Sequence, residues 1–162
     1  MEVYVLVEKK KSKLMSILSI LCFLLGGFLM ILSLLGALLL FAIAVPLLAL
    51  GVFLKGRGLE FEYSYFDGDF RFAKIINKQK RKELSGYEAE NVIVIAPKGD
   101  RSTYKYETDA QVKKRDLTSG KKDANVYAMV AKTEEGYQMT FFEPDERYLE
   151  AVCIKYRQKV IR

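Results

Sequence analysis

Leu14–Leu54 reads LMSILSILCFLLGGFLMILSLLGALLLFAIAVPLLALGVFL, 41 residues without an Asp, Glu, Lys, Arg, His, Asn or Gln. As one continuous helix it would extend about 62 Å, roughly twice a ~30 Å hydrocarbon core. Two spans use the run fully, whereas one would leave half of it in water. Gly36 lies near the centre, which predicts helices over about 14–33 and 37–54. A tight turn around Leu34–Gly36 then lies at the far interface. A cleaved leader does not fit, because its apolar region is only about 7–15 residues long. Pro46 falls inside the second span, where neighbouring groups can satisfy the carbonyl it frees. Ser19, Cys22, Gly26 and Ser33 share one face of the first helix, and their small side chains let it approach Ala42 and Ala49 of the second.

Outward from this run, Lys9, Lys10, Lys11 and Lys13 precede the first span, while Lys55 and Arg57 follow the second. Positive flanks favour the cytoplasm. Two crossings return the chain to its starting side, so the count of spans and the flanking charges agree. The expectation is a multi-pass protein of the cell membrane with both termini cytoplasmic. Residues 1–13 form a basic N-terminal segment, 14–54 the transmembrane hairpin, and 59–162 a cytoplasmic domain of 104 residues, enough for a core of its own.

After Gly58 the apolar period becomes two. Leu59, Phe61, Tyr63 and Tyr65 alternate with Glu60, Glu62 and Ser64, the pattern of a half-buried strand. Asp67-Gly68 supplies a two-residue hairpin turn. Its register sets Tyr65 opposite Phe70, Tyr63 opposite Phe72 and Leu59 opposite Ile76, all apolar on one face. Further strands are predicted at Arg81–Leu84 and Asn91–Ala96, the latter closed by Pro97. A second hairpin, Val126–Lys132 with Tyr137–Phe142, carries Tyr137, Met139 and Phe141 on one face. Lys98–Asn125 reads as exposed loop with one short strand near Val112–Leu117. A helix over about 144–157 closes the chain. Pro144, Asp145 and Glu146 suit its start, and Leu149, Val152, Cys153 and Tyr156 form its apolar stripe. The fold class is therefore a transmembrane α-hairpin plus a mostly β (α+β) domain, a pleckstrin-homology-like small barrel with a C-terminal helix.

The chain resembles a family of uncharacterised bacterial two-span membrane proteins, a domain of unknown function. The resemblance rests on the lysine-flanked double span and on Phe61-Glu62-Tyr63-Ser64-Tyr65 with Asp67-Gly68. It continues through Ile75 to Lys82, Ile95-Ala96-Pro97, Val126-Tyr127-Ala128-Met129 and Phe142-Glu143-Pro144-Asp145-Glu146. It implies a bacterial membrane protein with a cytosolic domain and carries over no catalytic residue.

Chemistry-bearing patterns are sparse. Histidine is absent, removing the commonest general base and zinc ligand, and Cys22 and Cys153 lie in different parts of the fold. Gly120-Lys121 lacks the other residues of a phosphate-binding loop, and no dinucleotide fingerprint occurs. Ser102 and Lys105 have dyad spacing but fall in the polar loop, while Asp109, Asp116 and Asp123 recur every seven residues without helical periodicity. Glu143, Asp145 and Glu146 are accounted for by the helix start. The tyrosines of the first strand read as core rather than as a base-stacking platform, so no nucleic acid is expected. Neither a catalytic residue, a metal site nor a cofactor is assigned. Lys78, Lys80, Arg81 and Lys82 instead form a basic turn, a candidate patch for anionic lipid headgroups. The net charge of +6 permits such a partner. The expected function is a membrane-tethered, non-catalytic binding or scaffold module that contacts the bilayer, its anionic headgroups or a protein. The alternative is an accessory subunit packed against a membrane-protein partner through the hairpin.

Overall fold

The computed structural model describes residues 2–10, 13–36, 38–55 and 58–162. Two compact units separate, Met1–Lys10 with Leu59–Arg162 and Lys11–Gly58.

The smaller unit is a pair of helices, α1 (Lys13–Leu34) and α2 (Phe41–Lys55), the second led by a 3-10 turn at Leu38–Leu40. Both Lys13–Leu34 and Leu38–Lys55 are long and apolar enough to cross a membrane. Ser19, Cys22, Gly26 and Ser33 are the buried face of α1, but the partner face of α2 is Ala44 and Gly51. That corrects the expected Ala42 and Ala49. The seam is set by the Ser19 hydroxyl donating to the Gly51 carbonyl at 2.8 Å and by the closeness of the backbones. A Cβ built on Gly26 would lie 2.8 Å from Leu48 Cγ, so any larger residue there would force Leu48 to shift. Ala37, the expected first residue of the second helix, lies outside the described residues.

Among the described residues, the larger unit holds eight strands, two α-helices and a 3-10 turn at Arg157–Lys159. β1 (Glu2–Glu8), β2 (Leu59–Phe66), β3 (Asp69–Ile76) and β4 (Lys80–Glu88) form one antiparallel sheet in that order. β5 (Val92–Pro97), β6 (Lys113–Asp116), β7 (Tyr127–Thr133) and β8 (Gly136–Phe142) form a second in the order β5-β7-β8-β6. The helices are α3 (Arg101–Thr108) and α4 (Glu146–Tyr156). The first hairpin has the predicted register throughout, from Leu59 opposite Ile76 to Tyr65 opposite Phe70.

The first correction concerns residues 1–13. Glu2–Glu8 is not a detached basic segment but an edge strand of the domain, paired antiparallel along the whole of β2. Val3, Val5 and Val7 stand on the face shared with Phe61, Tyr63 and Tyr65, and Val3 is buried. The three valines alternate with Glu2, Tyr4, Leu6 and Glu8, the period of a strand with one face inward.

The main core lies between the sheets. Tyr63 and Phe72 each meet Phe142 edge to face and tilt against each other, with centroids 5.5–5.8 Å apart, and Tyr148 of α4 closes the cluster against Tyr65, Phe70 and Phe142. Leu149 and Val152 of the predicted stripe are buried in this core. α4 is shorter than the expected 144–157, because Asp145 caps it, accepting from the Tyr148 amide. A smaller cluster lies on the other face of the second sheet, where Val94, Ala128, Val130 and Met139 pack with Tyr106 of α3. β7 is thus covered on both faces, which is why its apolar run is unbroken. The Tyr137 ring likewise contacts Tyr106.

Three further expectations are revised. α3 replaces the loop expected across Arg101–Thr108, with Asp100 capping it through the Ser102 amide and hydroxyl. Ser102 and Lys105 therefore sit on a helix, and the serine hydroxyl is engaged by Asp100. β4 is nine residues long rather than the four of Arg81–Leu84, with a bulge opposite Phe72/Ala73. The fold is pleckstrin-homology-like, but two packed sheets replace a closed barrel. Where edge strands β4 and β6 approach, Arg115 bonds the Leu84 carbonyl at 2.7 Å. β6 itself runs parallel to β8, as its entry through α3 requires.

Candidate functional site

The turn after β3 is narrower than the sequence implied. Asn77 and Lys78 adopt positive φ, 54° and 57°, and reverse the chain, while Lys80, Arg81 and Lys82 already belong to β4. Strand geometry sends alternate side chains to opposite faces, so the four cations do not act together. Arg81 lies opposite Ile75 on the outer face and bonds the Glu62 carboxylate, with contacts from 2.6 to 3.3 Å. This hydrogen bond holds the Arg81 guanidinium above its ordinary range. Lys78 approaches Glu60 at 3.8 Å. These two cations face carboxylates of β2.

Lys80 and Lys82 face the other way. Lys82 is directly opposite Lys74, which is opposite Phe61; Lys80 is opposite Ile76, which is opposite Leu59. The lysines thus continue the inner face of the sheet past the end of the core. Among the described residues, Lys74, Lys80 and Lys82 have no ion-pair partner. Lys9 joins them from the end of β1: its amide bonds the Leu59 carbonyl at 2.8 Å, and its ammonium stands 5.6 Å from the centre of the Phe61 ring.

A loop from the second sheet completes this rim. The Lys10 amide donates to the Ser119 carbonyl at 2.8 Å. Ser119 is buried and held by Glu143, whose carboxylate accepts from the Ser119 amide at 2.6 Å and hydroxyl at 2.9 Å. The Leu117 carbonyl accepts from the Tyr63 hydroxyl, and burial pushes that phenol well above its ordinary range. Glu143 is therefore a loop anchor rather than a helix-start charge. The anchored loop brings exposed Lys121 and Lys122 toward Lys10.

Of the expected flanking charges, Lys9 and Lys10 stand at this rim. Lys13 opens α1 and Lys55 ends α2, with the Lys55 ammonium 5.9 Å from the Phe23 ring centre. Lys11 and Arg57 lie outside the described residues. Sequence reading missed Lys74, although the hairpin register alone places it opposite Phe61. It also missed Lys121 and Lys122, whose position depends on the buried Ser119–Glu143 contact.

Among the described residues, no group of three or more His, Cys, Asp or Glu is placed to hold a metal ion. The arrangement gathers exposed Lys9, Lys80 and Lys82 and half-buried Lys74 at one end of the sheet. Neither a curated protein nor a solved structure matches the chain. The profile of one family, described as a bacterial PH-like domain, matches residues 1–162, and the chain belongs to that family, DUF6106.

Proposed function

We propose that this protein is a membrane-tethered, non-catalytic binding module of the cell membrane, with both termini cytoplasmic, whose pleckstrin-homology-like domain engages anionic lipid headgroups through its lysine rim. One observation carries the reading. The two chain connections to the apolar helix pair leave the domain at one end, with Lys9 bonded to Leu59 and Lys10 to Ser119, and the unpaired lysines gather at that same end. Lys10 precedes Lys13 by three residues and Leu59 follows Lys55 by four, so each connection spans at most roughly 10–14 Å. A lysine near an anionic leaflet contributes about 1 kcal/mol, within a Debye length of ~8 Å.

The test uses the full chain in nanodiscs of phosphatidylcholine alone or mixed with phosphatidylserine. Amide hydrogen exchange in residues 77–82 and 119–123 should slow in the anionic discs and recover in high salt. A Lys74→Gln, Lys80→Gln, Lys82→Gln triple variant should lose the protection, while Lys132→Gln, at the far end of β7, should keep it. Equal exchange in both kinds of disc would refute the lipid reading.

A further inference from the structure

The end of the helix pair remote from Lys13 and Lys55 has no counterpart to their charges. Leu34, Leu35, Leu38 and Leu39 surround Gly36, and all four are between 79% and 88% exposed. Between Leu14 and Leu54 there is no charged residue, tyrosine or tryptophan that could anchor this end in a headgroup layer. Three donors of the turn are paired within it. The Leu35 amide donates to the Leu32 carbonyl at 3.2 Å, the Gly36 amide to the Ser33 carbonyl at 3.3 Å, and the Ser33 hydroxyl to the Met30 carbonyl at 2.7 Å. Such internal pairing is what backbone needs where water is absent.

The lengths agree. The 22 residues of Lys13–Leu34 rise about 33 Å and the 18 of Leu38–Lys55 about 27 Å, against a hydrocarbon core of ~30 Å. With Lys13 and Lys55 held at the near interface, the shorter arm ends about 3 Å inside the far edge of the hydrocarbon, and the longer arm, tilted by the ~20° usual for spans, ends at about that edge. Any tilt draws the turn deeper.

We propose that this leucine tip is an intramembrane contact surface whose partner is the acyl-chain region of the distal leaflet, so that the hairpin presents no segment to the opposite aqueous compartment. The proposal rests on the membrane reading above and replaces a turn at the far interface with one immersed in lipid. All polar recognition by the chain then occurs on the side that holds the domain.

The experiment uses the full chain with Cys22→Ala and Cys153→Ala, carrying Leu35→Cys, Leu39→Cys or, as a control, Lys10→Cys. A membrane-impermeant maleimide is applied to intact cells and to inverted vesicles. The tip cysteines should escape labelling from both sides and react after detergent solubilisation, while Lys10→Cys reacts in inverted vesicles. A nitroxide at position 39 in nanodiscs should collide with oxygen in preference to a nickel chelate. Labelling of Leu35→Cys from outside intact cells, with the chain retained in membranes, would overturn the tip proposal alone. Release of the whole chain by alkaline carbonate would instead overturn the membrane reading beneath it.

Discussion

Removing one oxygen atom from Tyr63 and from Tyr148 should change stability in opposite directions. Both rings are fully buried in the same aromatic cluster. The Tyr63 hydroxyl donates to the Leu117 carbonyl, whereas the Tyr148 hydroxyl has no hydrogen-bond partner among the described residues. Tyr63→Phe leaves a buried carbonyl short of its donor, a loss of about 1–3 kcal/mol. Tyr148→Phe removes a desolvated hydroxyl that gains nothing in return, and should stabilise by about 1–2 kcal/mol. The two variants therefore separate by roughly 2–5 kcal/mol, and for a domain of roughly 110 residues each kcal/mol shifts the melting temperature by about 4 °C. The assay is native-state hydrogen exchange of the slowest amides in β3 and β8, in the full chain in detergent, because those strands report on the domain and not on the helix pair. Destabilisation of similar size in both variants would refute the reasoning, since it would mean that the Tyr148 hydroxyl also makes a bond.

Three other outcomes are expected. A fragment beginning at Gly58 lacks β1 and should lose protection at the alternate β2 amides that bond to β1, while those that bond to β3 stay protected; a chain retaining Glu2–Lys10 should protect both sets. Lys159→Met removes an ammonium that bonds the carbonyls of Ala89 at 2.6 Å, Glu90 at 3.1 Å and Val92 at 2.7 Å. It should cost about 1.5–3 kcal/mol and free the Ile161 amide from the Ile95 carbonyl, measured as faster exchange at Ile161. Burial raises the phenol pKa of both Tyr63 and Tyr148 above the ordinary 10.0. Above that pH the unfolded chain releases protons that the folded chain retains, so stability present below pH 10 is lost as pH rises; denaturant midpoints should fall through this range, and less in Tyr148→Phe.

Local pattern determined much of this protein. The uncharged run fixed two helices because helical length and apolar content are properties of consecutive residues. The Asp67-Gly68 hairpin was legible to the exact partner, since a two-residue turn leaves one register and the wrong one would turn every aromatic residue outward. The α4 stripe was equally plain, with Leu149 and Val152 three residues apart on one face.

Tertiary structure decided the rest, because it depends on pairs of residues distant in sequence. Nothing within Glu2–Glu8 states that its partner lies beyond the helix pair, at Leu59–Phe66, where a free strand edge and a half-filled inner face receive it. α3 was hidden in a charged segment because only Thr103 and Tyr106 of it are buried, too few for an apolar stripe until the second sheet supplies the surface they cover. The candidate site shows the same division. Sequence could gather Lys78, Lys80, Arg81 and Lys82 by proximity, but their two-residue alternation on β4, and the carboxylates of Glu60 and Glu62 across the sheet, separate the paired cations from the unpaired ones. The rim's remaining members, Lys9, Lys74 and the adjacent pair Lys121 and Lys122, come from three different parts of the chain. They meet because strand pairing and the buried Glu143–Ser119 contact bring those parts to one end of the domain.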